Sequence, residues 1–486
     1  MTDHTLSFKS ANELARMVRE KKIGAVELAR HFIGRIERFD GTINAVVVRD
    51  FERALQDAKK ADEALSAGKA TGPLHGVPMT VKESFNLKGH PTTWGAPGFR
   101  GNIAAEDAEA VRRLKAAGAI VLGKTNVPFM LGDFQAYNEI YGQTNNPWDV
   151  SRTPGGSSGG SAAALAAGMS GLEFGSDIGG SIRNPAHFCG VYGHKPSWNI
   201  VPMDGHSLPG MEGTPDLAVV GPLARSADDL SACLDVVAGP GPSMAPGWRL
   251  ELPAPRTQGL KGLRVAVWSG DDIAPVDAEV TDRLQATADL LAQQGATVSD
   301  TARPQIDATA NRRAYVALLN SLVGAGVPDE MYEQNKRAAA AFAASDTSRP
   351  ADMARSMVLD HRAWLGFDGV RHGIRRAWRE FFKSWDIMLC PIMATAAFAH
   401  DHAPMSARRV TVNGQPQPYF DQIFWASLAT LAYLPATVFP AGRSASGLPI
   451  GLQAIGPEHG DRRTIAFAQA MARQCGRFAP PPGFDD

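Results

Sequence analysis

Two stretches of this sequence combine glycine and serine densely enough to suggest chemistry: Thr153-Pro-Gly-Gly-Ser-Ser-Gly-Gly-Ser161 and Gly175-Ser-Asp-Ile-Gly-Gly-Ser-Ile-Arg-Asn-Pro185. Glycines packed this closely let backbone N–H groups approach a ligand and adopt positive φ. The serines among them offer hydroxyl nucleophiles, which stay weak until a base removes the proton. Flexible surface loops are the plain alternative, but linkers rarely alternate with apolar runs as these stretches do. A phosphate cradle is a further reading, yet no G-x-x-x-x-G-K-[ST] is present and no G-x-G-x-x-G follows a strand-like run. Gly155-Gly-Ser-Ser-Gly159 formally fits G-x-S-x-G, which requires a buried strand just before it. The preceding residues 145–154 read as a polar loop instead. Ser66-Ala-Gly-Lys69 fits S-x-x-K, but it sits in a glycine-containing turn with no K-T-G partner.

The elements that must position these residues follow from hydrophobic patterning. Ser10-Ala-Asn-Glu13 reads as a capping box, with Leu14, Met17 and Val18 at helical spacing after it. Leu28, Phe32, Ile33 and Ile36 mark a second amphipathic helix, so the N-terminus is expected to be helical. Asp107 to Ala117 reads as a helix stopped by Gly118, followed by a buried strand at Ala119-Ile-Val-Leu122. A similar unit recurs as the strand Arg264–Trp268 and a helix carrying Val280, Leu284 and Leu291 that closes at Gly295. This alternation predicts an α/β architecture. A Pro/Gly-rich connection over 239–259 is the best candidate for an internal boundary. Residues 301–380 have sparse apolar periodicity and read as helical and peripheral. Strand-like runs close the chain at Ile387–Cys390, Ala436–Phe439 and Leu448–Ile455, before a final helix from Asp461.

Composition narrows the functional classes. The 486 residues allow two or three domains, or one extended sheet wrapped as a single unit. A hydrophobic content of 44% is enough to bury a large core. The formal net charge is -1 and no dense Lys/Arg block occurs, which argues against a nucleic-acid or anionic-membrane surface. Cys189, Cys233, Cys390 and Cys475 are scattered without a C-x-x-C pair, which suits a reducing, cytoplasmic compartment and no zinc or disulfide framework. His400-Asp-His402 has no third ligand nearby and reads as a solvated loop, so no metal is expected. The start of the chain lacks a basic stretch followed by an apolar core, so no signal peptide is expected. No apolar run approaches the roughly 20 residues needed to span a bilayer.

The run from Gly142 to Pro196 resembles the amidase signature family. It contains G-Q-T-N-N-P-W, then R-T-P-G-G-S-S-G-G-S-A-A-A-L-A-A-G, then G-S-D-I-G-G-S-I-R-N-P-A-H-F-C-G-V-Y-G-H-K-P. Upstream, Gly72-Pro-Leu-His-Gly-Val-Pro-Met-Thr-Val-Lys-Glu-Ser84 is similar to the family's lysine motif. Gly123-Lys-Thr-Asn126 and Gly447-Leu-Pro-Ile-Gly-Leu-Gln453 are similar to further landmarks. Ordered motifs over some fifty contiguous residues are far more specific than any short pattern. The resemblance implies an α/β/α sandwich around one large mixed β-sheet, in a single domain spanning 1–486. Within it, 1–70 would be N-terminal helices, 71–240 the catalytic core, and 260–486 the rest of the sheet with a variable helical region at 300–380.

The resemblance also implies roles. The family's lysine falls on Lys82, its bridging serine on Ser157 and its nucleophile on Ser181, whose separation of 24 from Ser157 selects that residue over Ser158 as the bridge. Ile178, Gly179, Gly180 and Ser181 would supply oxyanion-hole N–H groups, with Ser158, Asp177 and Arg183 in support. Arg183 is read as a brace for the loops, with a solvent-facing charge as the other reading. Lys82 must be neutral to act as a base, and burial without a carboxylate partner would lower its pKa. Glu83 need not pair with it, because adjacent strand residues point to opposite faces. His187 and His194 flank the Ser181 loop and are read as structural.

What the resemblance implies for substrate is broader. An amide, whether an aryl acylamide, another acyl amide or a carbamate (urethane), would be hydrolysed without cofactor or metal; an ester is a further option. The family also includes the glutamine-hydrolysing subunit of the tRNA-dependent amidotransferase. That protein usually continues after H-K-P with Thr-Tyr-Gly-Arg and later carries Ala-Gly-Leu-Pro. Here Ser197-Trp-Asn-Ile200 and Ala432-Tyr-Leu-Pro435 stand instead, which favours a free-standing enzyme. Trp198, Phe424, Trp425 and Tyr433 hint at an apolar or aryl-bearing substrate, with ordinary core as the alternative reading. Membership of a larger, partner-dependent assembly and a non-catalytic binding role are the readings from other classes, and a homodimer is compatible with the family.

Overall fold

The computed structural model describes residues 6–69, 72–211, 213–256, 259–474 and 477–484. Cys475 and the first five residues of the chain lie outside the described residues. Eleven strands form one mixed sheet. In chain order they are β1 (Val46–Arg49), β2 (Pro78–Lys82), β3 (Ile120–Thr125), β4 (Glu173–Asp177), β5 (Tyr192–Lys195) and β6 (Val219–Ala224). They continue as β7 (Arg264–Val267), β8 (Thr297–Ser299), β9 (Ile387–Cys390), β10 (Ala436–Arg443) and β11 (Pro449–Ile455). Across the sheet the order is β1-β3-β2-β4-β6-β5-β10-β11-β9-β7-β8. Pairing is parallel for β3–β2, β2–β4, β9–β7 and β7–β8. Every other neighbour pair is antiparallel.

Helices cover both faces, giving the α/β/α layers. Every residue of β2, β3, β4, β6 and β11 is buried, as expected of strands covered on both faces, and their polar residues, such as Lys82, Glu173 and Asp177, are buried with them. The Ala-rich helix Gly159–Ala166 is buried along its entire length. Gly160 explains part of that depth: a β-carbon there would run into the backbone of Asn126 and the carbonyl of Ala45. The first helix, Ala11–Arg19, begins with the capping box, in which Glu13 N–H donates to Ser10 Oγ (3.1 Å) and Ser10 N–H to Glu13 Oε2 (2.9 Å).

Two sequence expectations change. The N-terminal segment is not purely helical, because the β-branched run Val46-Val-Val leaves the helix Ala25–Ile43 and pairs antiparallel with β3. The 239–259 connection joins strands of one and the same sheet. The 301–380 region is helical, but its first helix, Ala308–Ala325, is not peripheral: Ala314, Tyr315, Leu318 and Leu319 are buried in the core. Among the described residues, no helix is long and apolar enough to cross a membrane.

Candidate active site

Strands β2 and β4 are parallel neighbours that end at Lys82 and Asp177, so both open onto the same edge of the sheet. Carboxyl ends of parallel strands are where α/β sheets hold their ligands. Two glycine-rich loops meet there, 153–158 and 178–182, followed by helices Gly159–Ala166 and Arg183–Cys189. Ser158 N–H donates to the Ser181 carbonyl (3.1 Å) and Gly156 N–H to Asn184 Oδ1 (2.9 Å), which ties the loops together.

Lys82 lies at the centre of this junction. Its Nζ donates to Ser157 Oγ at 2.6 Å and to Ser176 Oγ at 2.9 Å. It is wholly buried, and desolvation brings its pKa down to about 7 against the opposing pull of Asp177 and Glu173. Carboxylates are therefore nearer than the sequence suggested, yet neither holds the lysine charged. Asp177 is neutralised by Arg183, and burial raises the Glu173 carboxyl to about 7. Glu83 points away, accepting from Thr93 N–H (2.7 Å), Thr93 Oγ1 (2.8 Å) and Trp94 N–H (2.9 Å). Exposure rises along the row from Lys82 (0%) through Ser157 (2%) to Ser181 (8%).

A depressed lysine pKa alone would not single out Lys82. Burial also lowers Lys124 to about 8 and Lys195 to about 7. Lys124 is spent on Thr92 Oγ1 and the Pro91 carbonyl, and Lys195 on the carbonyls of Leu434 and Pro196. Lys82 differs in bonding a serine on the loop that touches Ser181.

Asp177 organises the second loop. It accepts from Gly180 N–H (2.9 Å), Ile182 N–H (3.1 Å) and Arg183 N–H (3.3 Å). Burial opposes its charge, but the Arg183 guanidinium, with Nε at 3.0 Å and Nη2 at 2.8 Å, holds the carboxyl down near about 2. Arg183 faces no solvent. Its remaining donors reach the Ala426 carbonyl (3.1 Å), Gln453 Oε1 (2.8 Å) and Thr430 Oγ1 (2.9 Å). Because Gly180 N–H is committed to Asp177, it differs from the other oxyanion candidates. The N–H groups of Ile178, Gly179 and Ser181 have no protein acceptor among the described residues.

Ser158 sits beside Ser157, with Oγ donating to the Ser176 carbonyl at 3.4 Å. His187 accepts Gly451 N–H on Nδ1 (2.7 Å) and faces the Thr395 carbonyl with Nε2 (2.9 Å); burial lowers its pKa to about 4. His194 is locked between Thr437 Oγ1 and Asp461. Phe424 and Trp425 are fully buried and pack edge-on against Trp268, as core. His402 stacks on Tyr137, with ring centroids 4.1 Å apart. Two contributors escaped the sequence reading. Ser176 precedes Asp177 on β4, inside a motif already singled out. Tyr315 comes from the region read as peripheral, and its hydroxyl donates to the Ile178 carbonyl at 2.7 Å; no local pattern marks it.

Comparisons with known proteins place the chain in a family. The family model described as Amidase matches residues 27–465. A glutamyl-tRNA(Gln) amidotransferase subunit of Anaeromyxobacter dehalogenans is 34% identical, over 97% of this chain and 99% of that protein. Indoleacetamide hydrolase of Bradyrhizobium diazoefficiens is 32% identical, over 97% and 87%. Among solved structures, 6-aminohexanoate cyclic dimer hydrolase aligns with a TM-score of 0.79 at 25% identity, covering 99% of this chain and 100% of that one. A bacterial aryl acylamidase of the amidase signature enzymes shares the fold, with a TM-score of 0.81 at 24% identity over 99% and 98%. With a family match across nearly the whole sequence and a sheet of the corresponding architecture, the chain belongs to the amidase signature family.

Proposed function

We propose that this chain is a free-standing amidase that cleaves the C–N bond of a small acyl amide through an acyl-enzyme on Ser181. The observation that carries the reading is the 2.6 Å contact between a fully buried Lys82 and Ser157, on the loop bonded to the Ser181 backbone. Neutral Lys82 takes the Ser157 hydroxyl proton as Ser157 takes that of Ser181, and Ser181 Oγ attacks the carbonyl carbon. The N–H groups of Ile178, Gly179 and Ser181 receive the oxyanion, while Asp177 and Arg183 hold the loop in shape. Collapse breaks the C–N bond, and the departing nitrogen takes a proton back through Ser157. Water then attacks the ester, using the same relay in reverse, and releases the acid. A carbamate presents the same acyl–nitrogen bond and fits the same steps.

The departures from the amidotransferase pattern at Ser197–Ile200 and Ala432–Pro435 favour a free-standing enzyme, and Trp198 and Tyr433 from these two stretches stack on one another. A glutamine-hydrolysing component of an amidotransferase is the second reading, favoured by the 34% identity to the Anaeromyxobacter protein. The deciding experiment follows nitroaniline release from 4-nitroacetanilide by the isolated chain, beside Ser181→Ala. Turnover by the wild type alone supports the proposal. Equal turnover by both proteins rejects Ser181 as the nucleophile. Glutamine hydrolysis that appears only with added partner proteins would favour the second reading.

A further inference from the structure

The Tyr315 hydroxyl donates to the Ile178 carbonyl at 2.7 Å from the middle of helix Ala308–Ala325. That carbonyl shares a peptide unit with Gly179 N–H. In a planar trans peptide the two groups point in opposite directions, so a donor anchoring the oxygen sets the direction of the N–H. The segment needs such an anchor, because Ile178-Gly-Gly has little side-chain bulk to fix its backbone and glycine is the most permissive residue. Asp177 fixes the next N–H, that of Gly180, but leaves the Ile178–Gly179 peptide unheld. Packing agrees with close support: a β-carbon on Gly179 would lie 3.4 Å from the Tyr315 hydroxyl and 3.2 Å from Ile423 Cδ1. Tyr315 is itself fully buried, and burial and the nearby Asp177 keep its phenol protonated as a donor.

We infer that Tyr315 is a positioning residue for the oxyanion hole, clamping the Ile178–Gly179 peptide so that Gly179 N–H faces the acyl oxygen. This rests on the reading of Ser181 as nucleophile. The loop 178–182 thus depends on a residue from the helix Ala308–Ala325, which neither contacts the substrate carbonyl nor moves a proton.

The test measures the rate at which diisopropyl fluorophosphate modifies Ser181, which displaces fluoride and places a phosphoryl oxygen in the same hole. Peptide mass spectrometry locates the label, and circular dichroism melts place all variants on one stability scale. Tyr315→Phe keeps the ring and removes the donor; its labelling is expected to slow roughly 10- to 100-fold. The pH midpoint of labelling should stay where it is in the wild type, because Lys82 and Ser157 are untouched. Asn311→Ala removes a hydrogen bond from the same helix to Ser427 Oγ (2.9 Å) without touching Ile178, and should label at the wild-type rate. Wild-type labelling by Tyr315→Phe overturns the inference. So does equal slowing in Asn311→Ala, which would assign the effect to helix packing. A wild type that is not labelled at Ser181 would instead reject the nucleophile assignment, which keeps the two failures distinct.

Discussion

Tyr433 stacks on Trp198 while holding a backbone angle that suits glycine. Its φ is 64°, the ring centroids are 4.6 Å apart and the planes lie 14° from parallel. Asn199, beside Trp198, is also left-handed at φ 63°. These are the positions where the amidotransferase pattern has glycine, the residue that adopts a left-handed backbone most freely. The Tyr433 ring lies under the guanidinium groups of Arg371 and Arg375, both 4.8 Å from its centroid, and its hydroxyl donates to Asp216. The unit thus ties the helix His361–Ser384 to the core.

If the stack acts as a unit, its two halves must be energetically coupled. A double-mutant cycle of Trp198→Ala and Tyr433→Ala, read by chemical denaturation, should give a coupling of about 1 kcal/mol. Additive losses would mean that the rings merely touch.

Activity should rise with pH through the titration of Lys82. Its pKa is lowered to about 7, so below that value the ammonium cannot accept a proton and kcat/KM should fall about tenfold per pH unit. Above about pH 8 the profile should level off, and Lys82→Ala should abolish turnover. A flat profile between pH 6 and 8 would remove Lys82 as the base.

The two adjacent serines should separate sharply. Ser157 bonds Lys82 directly, whereas Ser158 Oγ reaches only a carbonyl, at 3.4 Å. Ser157→Ala should lower kcat by roughly 100- to 10,000-fold, the usual worth of a proton-transfer group. Ser158→Ala should cost far less in the same anilide assay, and a reversed order would exchange their roles.

Glycines of the same type should differ by location. Gly160→Ala would drive a β-carbon into the backbone of Asn126, and is expected to prevent folding or lower Tm by many degrees. Gly34, exposed in the helix Ala25–Ile43 with open space around it, should become more stable as alanine by about 0.5–1 kcal/mol. Differential scanning calorimetry of both variants checks the contrast.

The sequence by itself determined the α/β class and the family, and it singled out Lys82, Ser157 and Ser181 as the candidate catalytic positions. These lie in contiguous motifs, and local spacing survives folding. It also marked most elements within a few residues, such as β9 at Ile387–Cys390, because buried strands and glycine stops leave local signals. Tertiary structure alone decided the rest. Lys82, rather than the equally buried Lys195, meets Ser176 because β2 and β4 end side by side, and Ser157 because the loop 153–158 folds over that end. The burial of Arg183 depends on Thr430 and Gln453, more than 240 residues away in the chain. Tyr315 reaches Ile178 across 137 positions from a helix whose weak periodicity looked peripheral. Contacts of that range leave no periodic trace in sequence, because they depend on how layers pack and not on how any one segment folds.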